Sequence, residues 1–243
     1  MVVNIIMLAH NRPNLTRQAV DSLYANTPHD SFNLTIIDDN SDKAIRDLNF
    51  HTNFSAKNLA ILRIEHSHGI TGQARNLGVY WAEKYWGRGD WLYLSDNDVY
   101  FTPEWLPILV TCAMVAEHDN AIKVMGGWNH PYLQPKHAVN ASGFTGTEYN
   151  EHDAVTGASQ LMKWDIWDEY GPQDAHAPGV CQSEDWKFCQ DIIQDGGRVG
   201  SIYPRVVLNC GITNSMGEKA PGWDVMLKDL LEAKKEYPNL IWE

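Results

Sequence analysis

Apolar and polar positions alternate in blocks through the first half of this 243-residue chain. Residues 2–9 form a nearly continuous apolar run rich in Val and Ile, the pattern of a strand buried on both faces. Asn11-Arg12-Pro13 breaks it, and Leu15, Ala19 and Leu23 then recur at helical spacing behind a proline that a first helical turn tolerates. Residues 34–37 predict a second strand ending in Asp38-Asp39-Asn40-Ser41, and residues 60–64 a third. Ala74, Leu77, Gly78, Trp81, Ala82 and Tyr85 fall on one face of a predicted helix. Residues 91–94 predict a fourth strand that runs into Ser95-Asp96-Asn97-Asp98, after which Thr102-Pro103-Glu104 offers cap, first-turn proline and first-turn acid for another helix.

This alternation predicts βαβ crossovers, hence an α/β fold with a mainly parallel open sheet and helices on both faces. Ligands of such sheets bind beyond the carboxyl ends of the strands, where the acidic endings of strands two and four stand. After a strand over residues 121–125 the rhythm changes. Residues 126–153 read as one long polar loop, of the kind that is usually functional. Regular structure resumes with residues 154–161, a helix over 184–195, Gly196-Gly197 and a strand over 198–203. A last helix over 223–237 is expected to pack Val225, Leu227, Leu230 and Leu231. The length suits a single domain, here with two lobes, 1–110 and 111–243.

Composition narrows the function classes. At 44% hydrophobic and 21% charged, the chain is expected to be globular. A formal charge of -12 opposes charge-driven binding to duplex nucleic acid. Cys112, Cys181, Cys189 and Cys210 lack Cys-x-x-Cys spacing and read as reduced thiols. With no signal-like segment at the start and no apolar run of membrane-spanning length, a soluble, cytoplasmic protein without a membrane partner is the expectation.

Asp96-Asn97-Asp98 is the sharpest chemical signal. Two carboxylates at i and i+2 after a buried strand offer hard oxygen ligands to Mg²⁺ or Mn²⁺. Taken alone, the triplet is also an ordinary turn. Asp39 ends an earlier strand, where a carboxylate can accept the imino N–H of a pyrimidine base. Arg75, near the start of a helix, suits a phosphate or a base. Ser183-Glu184-Asp185 opens a later helix, with Ser as cap and acids favoured by the dipole. Trp128 and Trp186, beside the polar loop and the acidic pair, are the aromatic faces best placed to stack on the CH surface of a sugar. His66-Ser67-His68 lacks a convergent third ligand and reads as a polar loop.

The succession Met7-Leu8-Ala9-His10-Asn11-Arg12, Ile37-Asp38-Asp39-Asn40-Ser41, Ala74-Arg75-Asn76 and Leu94-Ser95-Asp96-Asn97-Asp98 resembles the family 2 glycosyltransferases with the GT-A fold. The resemblance covers about the first 110 residues well and the remainder loosely. It implies that residues 1–110 bind a nucleotide-sugar donor through Ala9, Asn11, Arg12, Asp39, Arg75, Asp96 and Asn97. Asp39 would meet the base, and Asp98 with Asp96 would hold Mn²⁺ or Mg²⁺. Gly157-Ala158-Ser159, Tyr170-Gly171-Pro172 and Glu184-Asp185-Trp186 are similar to the family's acceptor side, with Asp185 first and Glu184 second as general base. The implied reaction is metal-dependent, inverting transfer from a nucleotide-diphosphate sugar, a UDP-sugar foremost, to a hydroxyl acceptor. A small molecule or glycan fits as acceptor better than a hydroxylated nucleobase. One departure is that relatives place a histidine metal ligand where this chain has Val207-Leu208-Asn209-Cys210-Gly211, leaving Asn209 or Asn214 as substitutes. Two rivals remain. A nucleotidyltransferase acting on sugar phosphates would want a Gly-rich basic loop where His10-Asn11-Arg12-Pro13 stands. A catalytically inactive sugar- or nucleotide-binding module would have no need of Asp98 and Asp185.

Overall fold

The computed structural model describes residues 1–48, 57–65, 71–128, 138–140, 148–174, 184–203, 205–211 and 223–243. Its strands are β1 (Val3–Ala9), β2 (Phe32–Asp39), β3 (Leu59–Ile64), β4 (Trp91–Asp96), β5 (Val99–Phe101), β6 (Ile122–Gly126), β7 (Ala138–Asn140), β8 (Glu148–His152), β9 (Ser159–Met162), β10 (Arg198–Tyr203) and β11 (Val207–Asn209). Its helices are α1 (Pro13–Asn26), α2 (Thr71–Trp86), α3 (Trp105–Asn120), α4 (Trp164–Tyr170), α5 (Glu184–Gln194) and α6 (Trp223–Glu236).

Nine strands form one sheet in the order β3-β2-β1-β4-β9-β6-β10-β8-β7, and β11 pairs with β5 in a second, two-stranded sheet. The first four strands are mutually parallel. β9 is inserted antiparallel between β4 and β6, and β8 runs antiparallel to both β10 and β7. All the other strands of the large sheet therefore share one direction, and the fold is the mainly parallel α/β sheet that the sequence predicts. Because β1 pairs with β2 on one side and β4 on the other, their carboxyl ends bring residues 9–12, 39–41 and 96–98 together, as expected at a topological switch point. Separate apolar clusters cover the two faces of the sheet, one built with α1 and α3 and the other with α2, α4 and α5.

Several local expectations are corrected. α2 presses Gly72, Ala74, Arg75, Gly78, Val79 and Ala82 inward, while Leu77, Trp81 and Tyr85 face outward. The approach is too close for large side chains, since a β-carbon at Gly78 would overlap Ile6 and stand 2.9 Å from Ile37. Thr102 does not cap α3. Its hydroxyl donates to the Val206 carbonyl at 2.7 Å, and α3 starts after Glu104, which adopts a left-handed backbone. The stretch 126–153 is not one loop, because β7 and β8 lie within it and extend the sheet beyond β10. Leu230 is buried as expected, but Leu231 is exposed. Residues 129–137 and 141–147 lie outside the described residues, as do His66, His68, Cys181, Ser183 and Asn214.

Candidate active site

The donor end is built by three turns that lock one another. Asn11 and Arg12 both take left-handed backbone conformations directly after β1. The Asn11 amide donates to the Ser41 hydroxyl at 2.8 Å, and its side-chain carbonyl accepts the Asp42 amide at 2.8 Å. Asn97 donates to the Asn11 carbonyl at 3.1 Å and to the Thr16 hydroxyl at 2.7 Å. Asn11 and Asn97, expected to touch the donor, thus spend side-chain polar groups on holding the turns together. Ala9 is fully buried in the core.

The twin aspartates ending β2 divide their work, since successive strand residues face opposite ways. Asp38 is buried and accepts the amides of Ser41 and Ile45, each at 3.0 Å, and Arg63 Nη1 at 2.9 Å. Burial alone would raise its pKa, but these amides, the Ser41 hydroxyl and Arg63 carry it below the usual aspartate value. Asp38 is therefore a fixed anion that shapes the turn. Asp39 follows, also buried but at 9% slightly more exposed than Asp38, its carbonyl accepting His10 Nδ1 at 2.7 Å.

Asp96 and Asp98, at and just after the end of β4, each carry an arginine. Arg12 Nη1 lies 2.6 Å from Asp98 Oδ2, and Arg75 Nη2 lies 2.7 Å from Asp96 Oδ1. Burial and the neighbouring Asp96 charge push the Asp98 pKa up to about 6, against the pull of Arg12. Asp98 Oδ1 is buried without a hydrogen-bond partner. Such an orphaned oxygen is costly unless some cation or donor completes it.

Arg75 joins this end to the second half of the chain. The guanidinium is almost wholly buried, and its Nη1 donates to Glu184 Oε1 at 3.0 Å. Thr71 donates to the same carboxylate oxygen. Burial favours loss of the Arg75 proton, but Asp96, Glu184 and Asp185 together hold its pKa above the usual arginine value. It stays charged. Gly157 lies over the guanidinium so closely that a β-carbon there would overlap it. Arg75, read from sequence as a donor contact, is observed as a brace between carboxylates. Neither Thr71 nor this role of Gly157 was legible, although a glycine in the acceptor-side motif was the available signal.

Asp185 is held differently from its neighbour. Its Oδ2 accepts the Gly157 amide at 2.9 Å and its Oδ1 the Trp186 amide at 2.8 Å. Burial raises its pKa above the usual aspartate value; Arg75 and the two amides oppose that rise and the Glu184 charge reinforces it. Trp186 is exposed beside it. Trp128 is a correction, because its ring is buried in the core cluster and offers no open face to a sugar. Asn209 uses its side-chain carbonyl to accept the Gly211 amide at 2.8 Å, closing its own turn. Cys112, Cys189 and Cys210 are buried free thiols.

The sequence model of glycosyl transferase family 2 matches residues 4–172, more than half of the chain. The chain belongs to glycosyl transferase family 2. The match spans every donor-end residue described above and stops short of α5. Solved structures agree on the fold. The mannosyltransferase PcManGT from Pyrobaculum calidifontis, in complex with GDP-Man and Mn²⁺, is 14% identical with a TM-score of 0.60, covering 81% of this chain and 53% of its own. GalNAc-T7 with UDP, GalNAc and Mn²⁺ is 19% identical with a TM-score of 0.61, covering 83% of this chain and 43% of its own. S. aureus TarS 1-349 is 15% identical with a TM-score of 0.60, covering 98% of this chain and 72% of its own. This family 2 chain thus spans about half the length of the first two, and the likeness establishes the GT-A fold. No curated protein sequence matches it. No described helix is long and apolar enough to cross a membrane.

Proposed function

We propose that this family 2 chain transfers a sugar from a nucleotide-diphosphate sugar, a UDP-sugar foremost, to a hydroxyl acceptor with inversion at the anomeric carbon. The observation that carries the reading is the Arg75 brace. One buried guanidinium ties Asp96, at the donor end of β4, to Glu184 at the start of α5, so donor-side and acceptor-side carboxylates border one site. In this reading Asp39 accepts the imino N–H of the base, Arg12 meets the diphosphate, and Trp186 offers a face to the acceptor.

Asp185 serves as general base. Its carboxylate takes the acceptor hydroxyl proton as that oxygen bonds to the anomeric carbon, while the bond from that carbon to the diphosphate oxygen breaks and the electron pair leaves with the diphosphate. Glu184 is engaged by Arg75 and Thr71, and positions rather than reacts. The donor set fits a hard divalent cation. Asp98 and Asp96 offer oxygen ligands, Asp98 Oδ1 is buried and unmatched, and among the described residues no group of three His, Cys, Asp or Glu is arranged to hold a metal ion by itself. Mg²⁺ and Mn²⁺ sites of this kind use one or two carboxylates and complete the shell with substrate phosphates and water. Bound there, the cation would neutralise charge on the leaving diphosphate. Family membership favours this reading over nucleotidyl transfer.

Calorimetry with UDP, with and without Mn²⁺, tests the donor assignments. Asp39→Ala should weaken UDP binding in both conditions by roughly 1.5–3 kcal/mol, the worth of a charge-assisted hydrogen bond. Asp98→Ala should remove only the Mn²⁺-dependent part. If Asp39→Ala mattered only when Mn²⁺ was present, the base assignment would fail.

A further inference from the structure

Arg12 and Asp98 form a closed pair at the position where the cation is proposed to bind. The root of Arg12 is fixed, because its carbonyl accepts the Thr16 amide at 2.9 Å and the Thr16 hydroxyl at 3.0 Å. Asp98 is fixed from the other side, its own carbonyl accepting the Cys210 amide at 2.6 Å. Gly211 covers the pair, and a β-carbon there would overlap Asp98 Oδ2 and stand 2.9 Å from Arg12 Nη1. The Arg12 side chain is partly open to solvent.

A divalent cation arriving alone meets two obstacles here. Asp98 Oδ1 is buried and Oδ2 is held by a guanidinium at 2.6 Å, and on either oxygen the cation stands beside that positive charge. A nucleoside diphosphate removes both at once, because its phosphate oxygens give the guanidinium a new anionic partner. We infer that Arg12 is a built-in competitor of the metal, which neutralises Asp98 in the free protein and releases it only when a nucleoside diphosphate takes the guanidinium. The inference rests on the proposed role of Asp98 as metal carboxylate. Its thermodynamic content is coupling: UDP raises Mn²⁺ affinity, Mn²⁺ raises UDP affinity by the same factor, and Arg12 supplies a share of that factor.

The test is Mn²⁺ binding without and with saturating UDP, followed by calorimetry and by the paramagnetic resonance signal of free Mn²⁺. The parent, Arg12→Gln, Arg12→Met and Asp98→Asn would be compared after thermal unfolding has shown each to be folded. The two neutral Arg12 variants have different shapes, so one misfolded protein does not end the test. The expected result is that either variant binds Mn²⁺ alone roughly tenfold or more tightly than the parent, with a smaller gain on adding UDP. Parent-like Mn²⁺ affinity in the absence of UDP would overturn the inference while leaving Asp98 as the ligand. Asp98→Asn separates the two failures. If it bound Mn²⁺ and UDP as the parent does, the metal assignment itself would be wrong and the competitor role would fall with it.

Discussion

The end of β4 and the start of α5 both present paired carboxylates, yet they are relieved by different means. At β4, Asp96 and Asp98 crowd each other, each holds a guanidinium, and Asp98 keeps an oxygen without a partner. More positive charge is what such a place lacks. At α5, Glu184 shares the Arg75 guanidinium, whereas the Asp185 oxygens rest on backbone amides and its proton affinity is raised chiefly by burial. A proton relieves that strain directly. Neighbouring residues of one helix turn thus differ in kind: Glu184 is engaged by Arg75 and Thr71, and Asp185 is a carboxylate whose burial favours taking a proton. The proposed roles, a cation in one region and acid–base chemistry in the other, rest on this difference.

The strongest way to break the comparison is to remove the proton acceptor without changing its shape. Asp185→Asn should cut sugar transfer by ~10²–10⁴-fold, the usual contribution of a general base, while UDP affinity stays near that of the parent. Glu184→Gln keeps an oxygen for Arg75 and Thr71 and should lose far less. UDP release from a UDP-sugar, with water as interim acceptor, reads both. Parent-like turnover in Asp185→Asn beside a dead Glu184→Gln would reverse the two roles.

The brace between the regions gives the next largest effect, on stability rather than rate. Arg75→Met leaves buried Glu184 without its charge partner, a defect that costs about 3–5 kcal/mol when a buried pair is broken. The Asp96 side of the brace is about one-third open to solvent and should add little. Denaturant unfolding measures the total. Adding Glu184→Gln to Arg75→Met should recover part of the loss, because the uncompensated charge is then gone. Strictly additive losses would mean that the brace is not the coupling element.

The donor half was legible because its signals are local. Buried parallel strands announce themselves as apolar runs, and their endings at Asp39 and Asp96 follow within a few residues. The distinction between Asp38 and Asp39 was not legible, since it depends on Arg63 from the neighbouring strand. β8 was missed because Glu148-Tyr149-Asn150-Glu151-His152 carries no apolar alternation; its buried side chains reach distant partners, Glu151 meeting Arg198 and His152 Nε2 meeting Ser201. The outward face of α2 was misread for a related reason. Helical spacing shows where apolar residues recur, but the small residues mark the side pressed on the sheet. The acidic pair at residues 184–185 stands out in the sequence, but how each carboxylate is held depends on Gly157, Thr71 and Arg75, which only the tertiary structure brings to it.

The finest test of the comparison is the pH dependence of stability at Asp185, and its sign follows from the raised pKa. A carboxylate that binds its proton more tightly in the native state than in the unfolded chain destabilises the native state while it is ionised. That penalty is fully present above the raised native pKa. It shrinks as pH falls through that value and is gone below the unfolded value of about 3.9. Asp185→Asn carries no such penalty at any pH. Its stability relative to the parent should therefore be greatest near neutral pH and should decline steadily on acidification. The amide also loses acceptor capacity toward the Gly157 or Trp186 N–H, but that loss does not vary with pH, so the slope isolates the charge. Unfolding midpoints of both proteins between neutral pH and pH about 4 supply the difference curve. A flat curve would mean that Asp185 is as well solvated in the fold as in the unfolded chain. A curve rising toward acid would place Asp185 with Asp38, among the carboxylates that the fold keeps ionised.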